Sequence, residues 1–293
     1  MLDREGVTKF LSGENIRCRD TAKVTQKICE MKKDGYSALQ ILADFDYTIS
    51  HFRFEKEKMS SSFGALEKYS GMSEEFRAKT LALYNHFYPQ EVDPNIPAEV
   101  KVGLMTEWFT KSAGCIISEG VSKETVKNAA DTSKVKLRGK FDVFAETLKK
   151  EEVPLLVFSA GVGQVIERVF SNAKISPDNI KLIANMLEFN SENNAEQFRP
   201  PLITTGNKST VAAQEKEYFN SHIDRVNSIL LGDNIEDIQM SACVRNYSKN
   251  VLTVGFLNDR VEDRLDLYKS TFDVVILNDP DFTDVIQLFE CLQ

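Results

Sequence analysis

Along residues 21–34, Val24, Ile28 and Met31 fall at helical spacing and Gly35 follows as the usual stop, so a helix packed on a core is predicted there. A continuous apolar run then appears: Leu39, Ile41, Leu42 and Ala43 lead into Asp44-Phe45-Asp46, the pattern of a strand covered on both faces. Side chains alternate along a strand, so Asp44 and Asp46 are expected on one face, with Phe45 turned into packed protein. After His51-Phe52-Arg53 the texture changes. Phe76, Leu81, Leu83, Tyr84 and Phe87 recur at helical intervals up to Pro89, which is expected to end the helix. Residues 98–112 carry a stripe of Val102, Met105, Trp108 and Phe109, and residues 122–130 read as a further helix capped by Ser122. Residues 54–135 therefore read as an all-helical insertion.

From Phe141 onward, helix and strand patterns alternate. A helix over 141–150 precedes the apolar run 153–158; a helix over 165–171 precedes a strand over 180–184; and a helix over 210–219 precedes short strands at 228–231, 251–254 and 272–277. Such alternation predicts an α/β fold with a doubly wound parallel sheet, in which ligands bind beyond the carboxyl ends of the strands. The expected division is a first part of the core in residues 1–53, a small helical cap in 54–135 and the rest of the core in 136–293.

Composition narrows the partners. The chain has 293 residues, 42% hydrophobic and 27% charged, with a formal net charge of -8. That balance describes a globular protein and argues against a nucleic-acid polymer as partner, which would need clustered cations. A small phosphate ester remains compatible. The cysteines at 18, 29, 115, 243 and 291 are scattered, without zinc-ligand or disulfide-framework spacing. The opening MLDREGVTKF has acids where a leader peptide needs an apolar stretch, and no run is long enough to span a bilayer. A cytoplasmic location with no membrane partner is expected.

Candidate chemistry lies after the predicted strands. Asp44 and Asp46 suit a nucleophile and a proton donor, since neighbouring carboxylates push their pKa values apart, and they could also begin a magnesium site; a plain strand with a capped turn is the alternative. Ser159-Ala160-Gly161-Val162-Gly163 follows the strand at 153–158, where small residues entering a helix let backbone N–H groups approach an anion, unless this is an ordinary strand-to-helix turn. Gly232-Asp233-Asn234-Ile235-Glu236-Asp237 follows the strand at 228–231, so that Asp233 and Asp237 would stand one turn apart as hard oxygen ligands, or serve only as caps. Lys208, before a predicted helix, is a surface lysine unless these loops converge. If they do, an acidic site accepts a phosphate dianion only with compensating cations, for which Lys208 and one magnesium ion are the candidates.

In their order, Asp44-Phe45-Asp46-Tyr47-Thr48, Ser159, Lys208 and Gly232-Asp233 with Asp237 resemble the four motifs of the haloacid dehalogenase superfamily of phosphatases. The passages ADFDYTIS, PQEVDP, EWFTKS, FSAGVG, LLGDN and GFLNDRVEDR further resemble the cytosolic 5'-nucleotidase III family, which includes pyrimidine 5'-nucleotidases and relatives acting on 7-methylguanosine monophosphate. The resemblance implies a Rossmann-type core with a helical cap inserted after the first motif. It implies Asp44 as the nucleophile that forms an aspartyl-phosphate and Asp46 as the acid that protonates the departing oxygen and then activates water. Thr48 would steady the first loop. Ser159, Ala160, Gly161 and Lys208 would bind the phosphoryl oxygens. Asp44, the main-chain carbonyl of Asp46, and Asp233 would hold Mg2+, with Asp237 at or near the metal. Glu91, Phe63 and Phe109 would meet the base or sugar, although Phe109 also fits a core stripe with Met105 and Trp108. The expected function is a monomeric, Mg2+-dependent 5'-nucleotidase for CMP, UMP or 7-methyl-GMP, with possible transfer of phosphate to another nucleoside. The competing readings are a phosphatase of another small ester and a catalytically silent nucleotide-binding protein.

Overall fold

The computed structural model describes residues 4–293 apart from Pro94 and Ala213. The start of MLDREGVTKF, the final proline of PQEVDP and one residue of the expected helix over 210–219 thus lie outside the described residues.

Helix α1 (Arg4–Leu11) and strand β1 (Ile16–Cys18) precede α2 (Thr21–Asp34). The Asp20 side chain caps α2 by accepting the Lys23 amide at 2.9 Å, and Gly35, at φ 74°, ends it. Strand β2 (Leu39–Ala43) follows, buried along its whole length. A ribbon of β3 (Arg53–Phe54) and β4 (Glu57–Lys58) opens the insertion; its turn places Glu55 and Lys56 at φ 49° and 72°, left-handed without the Asn-Gly pair that would advertise it.

Four helices come next: α3 (Ser62–Glu67), α4 (Glu74–Val92), α5 (Ala98–Ser118) and α6 (Lys123–Thr132). Pro89 does not end α4, which continues to Val92. It sits in the last turn, where it forfeits the one backbone bond to the Asn85 carbonyl, and Phe87 stacks on Trp108 of α5 at 5.9 Å and holds that turn in place. Ser122 caps α6 as expected, accepting the Thr125 amide at 3.0 Å.

The remainder alternates: α7 (Phe141–Lys150), β5 (Leu155–Val162), α8 (Gly163–Asn172), β6 (Ile180–Asn185), a hairpin of β7 (Leu187–Phe189) and β8 (Ala195–Phe198), α9 (Lys208–Ala212), α10 (Lys216–Ser221), β9 (Asn227–Gly232), β10 (Asn250–Leu257), α11 (Val261–Thr271), β11 (Val274–Leu277) and α12 (Thr283–Glu290). The single helix expected over 210–219 is two short ones, α9 and α10.

The main sheet has seven strands in the order β1-β11-β10-β9-β2-β5-β6, parallel except for β1 against β11. This is the α/β doubly wound core expected from the sequence. From β2 the chain moves outward through β5 and β6 on one side, then returns to build β9, β10 and β11 on the other. That reversal leaves a crevice at the carboxyl ends of β2 and β9, where open α/β sheets bind ligands. The insertion is fastened to this frame: Phe63, Leu66, Phe76, Ile116 and Val126 share one apolar cluster with Ile41, Val157 and Ile229 of the sheet.

Candidate active site

The first acid continues the sheet by one residue. The Asp44 amide donates to the Leu231 carbonyl at 3.0 Å, beyond the end of β2 at Ala43. The expected strand does not run on through Asp46. Residues Phe45–Ile49 form a π-type turn in which Tyr47 takes φ 65°, with its amide donating to Ser50 Oγ at 2.9 Å. The two acids nevertheless border one cleft, because Asp44 and Asp46 both keep extended dihedrals while Phe45 is buried edge-on to Phe170.

Asp46 is gripped from the insertion. Its Oδ1 accepts the Ser62 amide at 2.7 Å and its Oδ2 the Ser62 hydroxyl at 2.6 Å, at the start of α3. Burial pushes the Asp46 carboxyl up to about 6 and the Ser62 bonds oppose that rise, so both protonation states lie within reach near neutrality.

Lys208 is no surface residue. It is 1% exposed, with Nζ at 2.5 Å from Asp44 Oδ1 and 2.7 Å from Asp237 Oδ1. Burial alone would lower its pKa, but Asp237 and Asp44 raise it instead, and the ammonium stays charged. The other oxygen of Asp237 accepts the amides of Asp233 and Asn234 at 3.1 and 3.0 Å, so this residue closes the turn after β9 as well as pairing Lys208. The segment that carries it, Ile235–Cys243, is 3-10 rather than α-helical. Gly232 is needed for the fold-back: a Cβ there would lie 2.4 Å from Asp237 Cβ. Thr48 Oγ1 donates to Asp233 Oδ1 at 3.3 Å, and the Tyr268 hydroxyl donates to the Asp233 carbonyl.

Asp44, Asp233 and Asp237 each offer a carboxylate oxygen, all within 4.8 Å of one another. A hard divalent cation fits this donor set. Burial pushes the Asp233 carboxyl well above the usual range, with Asp237 and Asp44 adding to it, as expected of acids clustered around a single ammonium. The Asp46 carboxylate stands apart from this trio, held by Ser62.

The third loop differs from the sequence reading. Strand β5 extends through Val162, so Ser159, Ala160 and Gly161 lie on a strand end and α8 begins only at Gly163. The residues of this loop that border the cleft come from a strand end rather than a helix terminus. Ser159 Oγ accepts the Gly161 amide at 2.9 Å, and the Val162 amide donates to Ser62 Oγ at 3.1 Å. A Cβ on Gly161 would lie 1.9 Å from Ser62 Oγ and 2.7 Å from Asp46 Oδ2, so only glycine fits.

The far wall belongs to the insertion. Phe63, Glu91 and Phe109 border the cleft, as do Tyr84, Tyr88 and Trp108. Phe63 and Phe109 meet edge to face at 5.5 Å, so Phe109 serves both the packing and the cavity surface. Tyr84 stacks on Tyr88 at 4.9 Å, and Lys58 Nζ lies 4.4 Å from the Tyr88 ring centre. Sequence reasoning missed Glu67, whose carboxyl burial pushes up to about 7 against the opposing effect of the Ser112 hydroxyl, and Ser112 itself, which borders the same cleft. It also missed Ser62, although three successive serines before a helix are a capping signal.

The family described as Pyrimidine 5'-nucleotidase (UMPH-1) matches residues 47–293. The 7-methylguanosine phosphate-specific 5'-nucleotidase of Homo sapiens is 33% identical over 264 residues, covering 90% of this chain and 88% of that protein. The crystal structure of cytosolic 5'-nucleotidase IIIB bound to cytidine superposes with a TM-score of 0.89 at 32% identity, covering 100% of this chain and 98% of that one. A substrate-bound phosphoserine phosphatase, 14% identical, shares the fold at a TM-score of 0.52 over 85% of this chain and 96% of its own.

Proposed function

Because the chain belongs to the pyrimidine 5'-nucleotidase (UMPH-1) family and is accordingly a hydrolase of nucleoside 5'-monophosphates, we propose that Asp44 takes the phosphoryl group and that the insertion selects the base. The observation that carries this reading is the buried Asp44–Lys208–Asp237 chain beside Asp46, at the carboxyl end of the central strand.

The Asp44 carboxylate attacks phosphorus in line with the 5' oxygen, and the bond between phosphorus and that oxygen breaks as the aspartyl-phosphate forms. Protonated Asp46 delivers its proton to the departing nucleoside oxygen. Now a carboxylate, Asp46 takes a proton from water, which attacks the aspartyl-phosphate and frees Asp44 and inorganic phosphate. A second nucleoside in place of that water would give phosphate transfer by the same route. Lys208, the Ser159 hydroxyl and the Ala160 amide are assigned to the phosphoryl oxygens, with Gly161, whose amide holds Ser159 Oγ, keeping the space beside them open. Asp44, the Asp46 carbonyl and Asp233 would hold Mg2+, with Asp237 orienting Lys208 and the turn beside it. The ion would offset charge between acids and phosphate. Activity should vanish on thorough chelation and return with added magnesium; turnover that survives chelation contradicts this assignment.

For the base, the proposal is a preference for 7-methyl-GMP. Phe63, Phe109, Tyr84, Tyr88 and Trp108 offer ring faces and edges, and Glu67 and Glu91 bring two carboxyl groups, both raised in pKa by burial, to the same cleft. That combination suits a positively charged purine. The pyrimidine reading is favoured by the cytidine bound to the similar nucleotidase structure. Steady-state comparison of 7-methyl-GMP, CMP, UMP, GMP and AMP decides: the highest kcat/KM is expected for 7-methyl-GMP, and CMP or UMP in first place would replace that preference. The name of the same relative supports a cytosolic location, and among the described residues no helix is long and apolar enough to cross a membrane. Action as a monomer, and the division into core 1–53 and 136–293 with cap 54–135, belong to the same proposal.

A further inference from the structure

Arg138 is the largest fully enclosed side chain among the described residues, and no step above uses it. It leaves the insertion just before α7, and its guanidinium lies 4.4 Å from the Phe256 ring centre. Nε donates to the Thr48 carbonyl at 2.7 Å; Nη2 donates to the Tyr47 carbonyl at 2.6 Å and to Asn258 Oδ1 at 2.8 Å; Nη1 donates to the Pro280 carbonyl at 2.8 Å and pairs with Asp279 Oδ1 at 2.5 Å. The Tyr47 carbonyl also accepts from Asn258 Nδ2 at 2.9 Å. Tyr47 is the left-handed residue that turns the chain between Asp46 and Thr48, a conformation a tyrosine keeps only when its surroundings enforce it.

Asp279 holds the other side. Its carboxylate accepts the amides of Phe52 at 3.2 Å and Arg53 at 2.5 Å, on the chain entering the insertion, and His51 Nδ1 lies 3.5 Å away. The entering and returning segments pair with each other: the His51 amide donates to the Lys136 carbonyl at 2.8 Å and the Arg138 amide to the Ile49 carbonyl at 2.9 Å. One ion pair thus touches the acid-bearing turn, the entry into the insertion and the return from it.

We propose that Arg138 and Asp279 are a positioning pair for the phosphoryl transfer, fixing the turn that carries Asp46 relative to both crossings between sheet and insertion. The idea rests on the reading of Asp44 and Asp46 as reacting groups. A planar guanidinium is suited to the task because its fork fixes three carbonyls and a carboxylate at once, which an ammonium cannot do. Substitution should therefore lower kcat without weakening substrate binding, since neither residue faces the cleft.

The test compares Arg138→Lys, Asp279→Asn and Asp44→Asn with the wild type, using the nucleoside monophosphate turned over fastest and saturating magnesium, with rates expressed per folded molecule from circular dichroism. Expected are a kcat at least thirtyfold lower in the first two variants, KM within twofold of wild type, and hydrogen exchange at the Phe52 and Arg53 amides at least tenfold faster while β9 is unchanged. Wild-type kcat per folded molecule in both variants, or a change in KM alone, overturns the proposal. Should Arg138→Lys not fold, the nearly isosteric Asp279→Asn decides by the same criteria. Full activity in Asp44→Asn would sink the nucleophile assignment by itself, whatever the pair does.

Discussion

The two ends of the cleft are built differently. At the sheet end, the carboxylates of Asp44, Asp46 and Asp237 and the ammonium of Lys208 each have named partners at 2.5 to 3.1 Å, and a glycine at 161 or 232 is required by contacts that leave no room for a Cβ. At the insertion end, aromatic rings meet over longer distances, 5.5 Å between Phe63 and Phe109 and 4.9 Å between Tyr84 and Tyr88. The first end is arranged for one group of fixed charge and shape. The second presents surface that can take more than one ring. Substitutions at the sheet end should therefore abolish chemistry on every nucleotide, and those at the insertion end should redistribute preference among nucleotides.

The largest effect is expected for Asp44→Asn, where the amide cannot attack phosphorus: kcat should fall by at least about 10⁴-fold with the fold intact, as for loss of a covalent nucleophile. Circular dichroism alongside the assay checks both halves. Lys208→Met comes next, with a loss of about 10² to 10³-fold on all substrates, the usual cost of removing a charge that stabilises the transition state. A loss confined to one base would blur the contrast between the two ends.

At the insertion end, Phe109→Ala should raise KM for 7-methyl-GMP by about tenfold while leaving kcat for CMP within a factor of about two, corresponding to loss of a stacking contact of roughly 1 to 2 kcal/mol. The smallest effect concerns pH. Burial pushes Glu67 to about 7, so it is neutral below that pH and anionic above it. The anion favours a cationic ring, so the ratio of kcat/KM for 7-methyl-GMP over CMP should rise between pH 6 and pH 8 by about fivefold, near the 1 kcal/mol of a partly exposed charge pair. Glu67→Gln should flatten that rise relative to wild type. An unchanged slope in the variant would remove Glu67 from base recognition.

Much of the sheet end is legible in the sequence because its residues follow apolar strands directly. Asp44 stands after Ala43 and Asp233 after Gly232, so strand order alone brings them together at one edge. Lys208 is different. Nothing local distinguishes it from a surface lysine, and only the charge that the other loops would gather argues for its burial. The details of turn chemistry escape because they depend on distant partners: Tyr47 is left-handed under the hold of Arg138 and Asn258, and Pro89 stays within α4 because Phe87 packs on Trp108. Strand β5 runs to Val162, past the apolar run, because Val162 pairs with Asn185 of β6 beyond a shift in register after Phe158. The short edge strand β1 and the β7–β8 hairpin have too few residues for a period to register. In the insertion, Glu67 lies on a helix with no motif around it, so its place in the cleft follows from helix packing rather than spacing.

The central claim, that the phosphoryl group passes through Asp44, is tested most directly by the steric course at phosphorus with a nucleotide made chiral by oxygen isotopes. Two successive in-line displacements, first by the carboxylate and then by the acceptor, predict net retention of configuration. Net inversion would mean a single direct attack by water and would contradict the account.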